Sequence, residues 1–226
     1  MSTSDASIGG LGGPPASKTE YALQRLRDEI SSGVIRPGEA LRQADLAKRY
    51  GISPTPVREA LRLLEAEGAI SYAPHRGATV SEMTEQRIKD LYLLRSVTEG
   101  IAARLAAGRR SPAQLDELEQ HHQRLIELTR DPAVEPEKLS AWNRELHLMI
   151  CAAGSPVITS QVMNLWKMFP TRATTSMWDR AELAERFLTQ HDRIISAIVN
   201  GDGATAEREM AAHVMSAAEE RLRSMA

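Results

Sequence analysis

The 226-residue sequence predicts a mainly α-helical protein in two parts: three helices with a β-hairpin, then an all-α bundle of six or seven helices. Three observations predict it. Aromatic residues are scarce at 4% while Ala and Leu are plentiful, a composition suited to helices packed on helices. From Thr84 to the end, apolar residues recur at helical spacing between Pro112, Pro132, Pro136, Pro156, Pro170 and Gly201. Before that, Gly51-Ile52-Ser53-Pro54 reads as the end of one helix, a three-residue turn and the start of another.

In chain order, residues 1–17 are mostly Gly, Ser, Pro and Ala with almost no charge, which predicts a flexible tail. A first helix is expected over Lys18–Ser32, with Tyr21, Leu23, Leu26 and Ile30 as its apolar side and Gly33 as its stop. Arg36-Pro37-Gly38-Glu39 makes a turn. A short helix follows over Gln43–Tyr50, with Leu46 and Ala47 facing inward. Gly51 suits the residue after a helix, because only Gly enters the left-handed region without a Cβ penalty. Ser53 suits an N-cap, and Pro54 suits the first helical position, where its missing N–H costs nothing. The third helix spans Pro54–Glu67, with Val57, Leu61 and Leu64 at helical spacing, and Gly68 stops it. Ala69–Ala73 and Ala78–Ser81 alternate around Pro74-His75-Arg76-Gly77, which predicts a β-hairpin. The expected domains are therefore 18–82 and 83–226. Helices in the second are expected at 84–107, 112–130, 136–153, 155–169, 172–200 with a break, and 203–224, with Ser111-Pro112 and Ser155-Pro156 as cap pairs.

The totals exclude several classes. No apolar run approaches the roughly 18 residues of a membrane span, and the N-terminus lacks the basic-then-apolar layout of a signal peptide. The lone Cys151 excludes an internal disulfide framework and fits a small core residue in a cytoplasmic protein. Net charge is −2, with ten basic against nine acidic residues up to Val80 and eighteen against twenty-one after it. A nucleic-acid reading must therefore rest on where charge is placed.

Placement does favour nucleic acid. Two helices joined by such a turn set the second in the DNA major groove. Ser53, Thr55 and Arg58 open that helix, where free N–H groups and the helix dipole favour phosphate, and Arg58 can fork onto a guanine edge. Arg62 follows one turn on. The hairpin reads as a wing with His75, Arg76 and Gly77 at its tip, in reach of a minor groove or a phosphate. The plainer alternatives are an ion pair of Arg58 with Glu59 and a solvated hairpin without a partner.

These residues resemble a known family. Pro37-Gly38, Leu46-Ala47, Gly51-Ile52-Ser53, Thr55-Pro56-Val57-Arg58-Glu59-Ala60-Leu61, Leu64-Glu65, Glu67-Gly68 and Arg76-Gly77 together look like the winged helix-turn-helix of the GntR family of bacterial transcription regulators. The C-terminal part is similar to the all-helical effector domain of the FadR/FCD subgroup. Its marks are Arg95 with Glu99, Asn143 with His147, His191 followed by Ile194, Ala197-Ile198 and Gly201-Asp202, and then Ala206, Met210 and His213. The resemblance implies a homodimer on a pseudo-palindromic double-stranded DNA operator. Two departures stand out. Pro54 occupies the place of a commonly base-contacting Arg, so the operator sequence does not carry over. Asn143 replaces the usual Asp four residues before the first histidine, and a neutral amide makes a weaker ligand.

Helical arithmetic places the polar residues of the bundle. Ile88, Leu91, Leu94, Thr98, Ile101, Ala102 and Leu105 define one expected apolar face, with Arg95 inside it and Glu99 at its edge. Arg95 either pairs with Glu99 at i,i+4 or receives the carboxylate of a small effector, and both can hold. His147, one turn after Asn143, borders an apolar face; His191 and His213 lie centrally in the apolar arcs of their helices. Each alone reads as a core histidine. Three of them with Asn143 form a four-ligand set for a divalent transition metal, zinc or nickel, and the resemblance implies the same constellation. His121 and His122 are expected on a solvated face. The expected function is a ligand-responsive regulator, a repressor, with a small carboxylate effector and no membrane association. The alternatives are a metal-dependent hydrolase using the three histidines, against which no carboxylate is clearly placed as a base, and a metal-storing bundle.

Overall fold

The computed structural model describes residues 17–73, 77–168 and 177–225. The expected tail, save Ser17, and the wing-tip residues His75 and Arg76 lie outside them. The chain divides into two compact units, Met1–Val80 and Ser81–Ala226.

The first unit contains α1 (Lys18–Ser31), α2 (Gln43–Tyr50), α3 (Pro54–Ala66), β1 (Ile70–Ala73) and β2 (Gly77–Val80). Its core gathers Leu26, Leu46, Val57, Leu61 and Leu64 from the three helices with Ile70 and Val80 from the strands. The strands pair antiparallel, Ile70 opposite Val80 and Ala73 opposite Gly77. A third piece of backbone joins them: Ala40 bridges Thr79, and the Leu41 N–H donates to Ala78 O at 2.8 Å. One bridging residue leaves no alternation to read, so the sequence does not announce it. The hairpin is thereby tied to the α1–α2 connection. Ion pairs fix the helices further: Arg27 of α1 pairs with Glu67 after α3, and Glu29 takes Arg49 at 2.8 Å and the Tyr50 hydroxyl at 3.0 Å.

The second unit is helical throughout its described residues: α4 (Glu85–Arg109), α5 (Pro112–Arg130), α6 (Pro136–Gly154), α7 (Pro156–Lys167), then α8 (Ala181–Val199) and α9 (Gly203–Arg223). Ser111 caps α5 in a reciprocal capping box with Gln114, and Ser155 caps α7 by accepting from the Ile158 N–H. The helix expected over 172–200 begins at Ala181, after a turn at Met177 and Trp178; residues 172–176 lie outside the description. Among the described residues, no helix is long and apolar enough to cross a membrane.

α4 is the central element and packs against α6, α7, α8 and α9. Its buried side differs from the expected one. Ile88, Leu91 and Ala102 face inward as expected, but so do Tyr92, Ser96, Glu99, Gly100, Ala103 and Ala106, while Leu94 stays 53% exposed. Its apolar residues are spread almost all round the axis among polar ones, so periodicity alone cannot choose its inner face. Close approach chooses it, because α6 and α9 lie against the small residues. At Gly154, the last residue of α6, an added Cβ would press on the backbone carbonyl of Ala102, and at Gly100 it would come within 3.1 Å of Glu207 O.

This crossing yields a prediction of opposite signs. Gly154→Ala should destabilise the protein by about 1–3 kcal/mol through overpacking against rigid backbone. Gly108→Ala, where an added Cβ meets nothing within 4 Å, should stabilise it by about 0.4–1 kcal/mol. Urea unfolding of the two variants beside the parent checks both signs.

Candidate functional site

In the first unit, Gly51 closes α2 with φ 65°, the left-handed conformation its lack of Cβ permits. The chain turns through Ile52 and Ser53 into α3. Ser53 takes the N-cap position with extended backbone, but its side chain makes no capping bond. Ser53, Pro54 and Thr55 are exposed at the mouth of the helix, and Arg58 and Arg62 are exposed one and two turns along. Val57, Ala60, Leu61 and Leu64 bury the opposite face. Glu59 Oε1 stands 3.7 Å from Arg58 Nε and 3.3 Å from Arg62 Nη1. Solvent-exposed pairs of this kind contribute about 1 kcal/mol at most, so a phosphate or a base edge can compete for either guanidinium. Gly77, the described part of the wing tip, opens β2 with φ 71°.

In the second unit, four helices converge on a buried polar centre. His147 of α6, His191 of α8 and His213 of α9 are 1–3% exposed. Their ligand nitrogens all lie within 4.8 Å of one another. His213 Nε2 stands 3.2 Å from His147 Nε2 and 3.2 Å from His191 Nε2. Two of the rings are turned by what their other nitrogen meets, while His191 Nδ1 is buried without a hydrogen-bond partner. His147 Nδ1 donates to Glu99 Oε2 at 2.5 Å, and His213 Nδ1 donates to Gln190 Oε1 at 2.8 Å. With those protons on Nδ1, a bare Nε2 on His147 and on His213 would aim its lone pair at the same small space. Nothing in that pair can donate to the other. Asn143 Oδ1, a fourth acceptor, is buried without a hydrogen-bond partner.

A set of facing acceptors is unfavourable without a cation among them and favourable with one. Tetrahedral coordination at about 2.0–2.1 Å would separate ligand nitrogens by roughly 3.4 Å, close to the 3.2 Å spacing here. The residues therefore fit a divalent metal. The outer partners fit as well, since a carboxylate or carbonyl on the far nitrogen is what sets a ligating imidazole's tautomer.

Glu99 is the member that sequence reasoning placed only at an edge. It is fully buried, and its Oε1 accepts from Arg95 Nε at 2.7 Å. Burial alone would raise its carboxyl, but Arg95 and then His147 outweigh that and hold it down at about 2. Arg95 also lies over the Trp166 ring at 3.7 Å and the Tyr92 ring at 5.2 Å. Of the two expected uses of Arg95, the pairing with Glu99 is present, and Arg95 also lines a cavity with Asn143, His147 and His213. That cavity has a volume of about 20 Å³, enough for a water or an ion and too small for an organic effector. Larger clefts of about 500 Å³ and 380 Å³ border α8, but no cluster histidine lines either.

The solvated face expected for His122 is overturned. His122 is 5% exposed, not solvated; its Nε2 meets Asp192 Oδ1 at 2.8 Å and its ring packs edge-on against His191. Leu118, His122 and Leu125 share the buried face of α5, and that spacing is the signal that could have found it. His121 stacks on Trp142 with ring centroids 4.4 Å apart. Cys151 is a core residue, as expected. Burial, with Glu99 adding to it, pushes its thiol up and leaves it a poor nucleophile.

Acid should act on this centre in a definite direction. Burial and neighbouring imidazoles hold His191 and His213 well below the ordinary histidine range near 6.5. The unfolded chain therefore binds more protons than the folded one once the pH drops below about 6.5. Chelator-treated protein should keep a constant urea midpoint from pH 8 to 7 and lose stability progressively below about 6.5. Glu99 adds a loss in the same direction at lower pH, its stabilisation fading as the pH falls toward about 2. A midpoint that is flat from pH 8 to pH 5 would contradict the buried neutral histidines.

Comparison with known proteins agrees with both halves. Residues 18–80 match the family described as bacterial regulatory proteins, gntR family, and residues 90–216 match the FCD domain. The HTH-type transcriptional repressor RspR of Escherichia coli K12 is 28% identical over 209 residues, 91% of this chain and 88% of RspR. LutR, an HTH-type transcriptional regulator of Bacillus subtilis, is 26% identical over 206 residues, 82% of this chain and 92% of LutR. The fold matches the solved structure of Escherichia coli McbR/YncC with a TM-score of 0.70 at 24% identity, covering 93% of this chain and all of that one. The chain belongs to the GntR family of transcription regulators, with an FCD domain following its winged helix-turn-helix.

Proposed function

We propose that this regulator is a repressor that binds a pseudo-palindromic operator as a homodimer and responds to a small carboxylate through a metal-bearing FCD domain. The observation that carries the effector half is the convergence of imidazole Nε2 acceptors beside the partnerless Asn143 oxygen. His147, His191 and His213 would hold a zinc or nickel ion, with Asn143 as a neutral fourth ligand. The bound ion would supply a positive, Lewis-acidic centre for an anionic effector. Glu99 and Gln190 keep the ligating rings turned inward, and Arg95 adds a cation to the cavity wall. Because the cavity is so small, an effector would enter only as the helices around it repack. Repacking of that kind is how a ligand with unequal affinity for two states shifts their populations and alters the spacing of two recognition helices.

The DNA half is supported by the exposed mouth of α3. Ser53 and Thr55 would meet phosphate at the helix N-terminus, Arg58 a base edge or phosphate, Arg62 a phosphate, and His75, Arg76 and Gly77 the neighbouring groove. The name repressor comes from RspR and is extended to this chain by similarity. The hydrolase reading has little to stand on. Among the described residues, the carboxylate touching the cluster is Glu99, and it is engaged by Arg95 and by a histidine Nδ1.

Two outcomes are expected. Arg58→Ala should weaken binding to DNA from the protein's own promoter region by about 10–100-fold, the loss of one forked contact, while helical circular dichroism stays unchanged. Gel shift over a salt series measures it, and undiminished affinity would remove Arg58 from the interface. His147→Ala should lower zinc or nickel affinity more than tenfold, read by competition titration and by metal content in mass spectrometry; unchanged metal content would dismiss the centre.

A further inference from the structure

His147 and His213 each have a partner on the nitrogen that points away from the cluster, Glu99 for the first and Gln190 for the second. His191 differs. Its Nε2 faces His213 Nε2, and its Nδ1 is buried without a hydrogen-bond partner. A second nitrogen close by is in the same condition. His122 Nδ1 is also buried without a partner, while Nε2 of that ring meets Asp192 Oδ1 at 2.8 Å. The His122 and His191 rings stand edge-on with centroids 5.6 Å apart. Orphaned buried polar atoms are rare, because each has given up its hydrogen bond to water for nothing. Two of them on adjacent rings call for one explanation.

The proton inventory supplies it. An ionised carboxylate only accepts, so His122 Nε2 carries the hydrogen in its bond to Asp192, and Nδ1 of a singly protonated His122 is an acceptor. His191 is the complement: a ring whose Nε2 is bare toward the cluster carries its proton on Nδ1 and has a hydrogen to give. We propose that His122 and Asp192 are a positioning pair for His191: Asp192 fixes His122 with Nδ1 bare, and His122 accepts the Nδ1 hydrogen of His191 through one buried water. A water there bonds two polar atoms that otherwise have no partner. The assignment rests on the metal-bearing reading above and deepens it. Each of the three imidazoles then has an outer partner that holds Nε2 bare, which is how ligating histidines are oriented.

The helices place the pair for this role. His122 lies between Leu118 and Leu125 on the buried face of α5, and α5 packs against α8, which carries His191 and Asp192 in consecutive positions. Consecutive helical residues diverge by about 100°, so His191 is buried in the bundle while the Asp192 side chain stays 61% exposed. His122 spans that divergence, bonded to the one and packed against the other. Asp192 also lines both of the larger clefts beside α8. The buried cluster is thus linked to a carboxylate at the surface. A core histidine that merely filled space would leave both Nδ1 atoms unsatisfied.

Two measurements on the full chain test this. In the metal-free protein with isotope-labelled histidine, long-range proton–nitrogen NMR spectra above pH 7 read each tautomer. His191 should carry its proton on Nδ1 and His122 on Nε2. His122→Phe keeps a ring and removes the acceptor. It should release His191 into a mixture of tautomers and lower zinc affinity by about 10–100-fold in competition with a chelator. Asp192→Asn should act in the same direction, since an amide can donate to His122 Nε2 as well as accept from it and no longer dictates the tautomer. Leu118→Ala, on the same face of α5, should lower the urea midpoint and leave zinc affinity unchanged. A parent with the His191 proton on Nε2, or zinc affinity unchanged in both His122→Phe and Asp192→Asn, overturns the pair. So does an affinity loss in Leu118→Ala as large as that in His122→Phe, which makes packing the cause. A parent that binds no zinc overturns the metal reading, and the tautomers then decide the hydrogen-bonded pair by themselves.

Discussion

The second domain depends on how a single carboxylate is buried. Glu99 has no exposure, and an isolated charge there would cost several kcal/mol. Arg95 one turn earlier neutralises it through Oε1, and His147 across the bundle takes Oε2. The Arg95 cation is itself sandwiched against aromatic rings and so is kept from water in turn. The same bond that satisfies Glu99 fixes the His147 tautomer, which turns its Nε2 toward His213. A stability requirement and a site requirement are thus met by one contact, and neither can be altered without the other.

The bundle achieves this by close approach. Gly100, Ala102, Ala103 and Ala106 line the inner side of α4, and Gly154 ends α6 against the Ala102 backbone. Short side chains bring α6, α8 and α9 near enough for imidazoles from three helices to meet nitrogen to nitrogen. The consequence appears on the other side of the helix, where Leu93, Leu94 and Val97 are left in water.

The first domain solves a different problem. Its helices hold one short helix, α3, with its N-terminal turn open and its back fully buried. The hairpin is fastened to the α1–α2 connection by the Ala40 bridge and the Leu41 N–H, so the wing follows the helices that carry the recognition element. At the opening turn Ser53, Thr55 and Arg58 are exposed, while Pro54 sets the helix start and contributes no donor.

Most of this architecture was legible in the chain itself. Gly51, Ser53 and Pro54 mark a helix end and start through backbone sterics, and the prolines of the second half mark helix starts for the same local reason. The histidines could be placed on inward arcs by periodicity, because their neighbours Phe187, Ile194, Met210 and Val214 are apolar on one side. Tertiary structure alone decided the rest. The periodicity of α4 is nearly featureless, so its inner face waited on which side could be approached closely. Glu99 reads only as the edge of an apolar face, and His122 as a surface residue, until their partners, His147 and Asp192, are brought from helices far along the chain. The third strand-like contact at Ala40 is a single residue without pattern. Local sterics and periodicity are written in consecutive residues; the pairing of buried charges is not, because each partner's burial is set by the other's position.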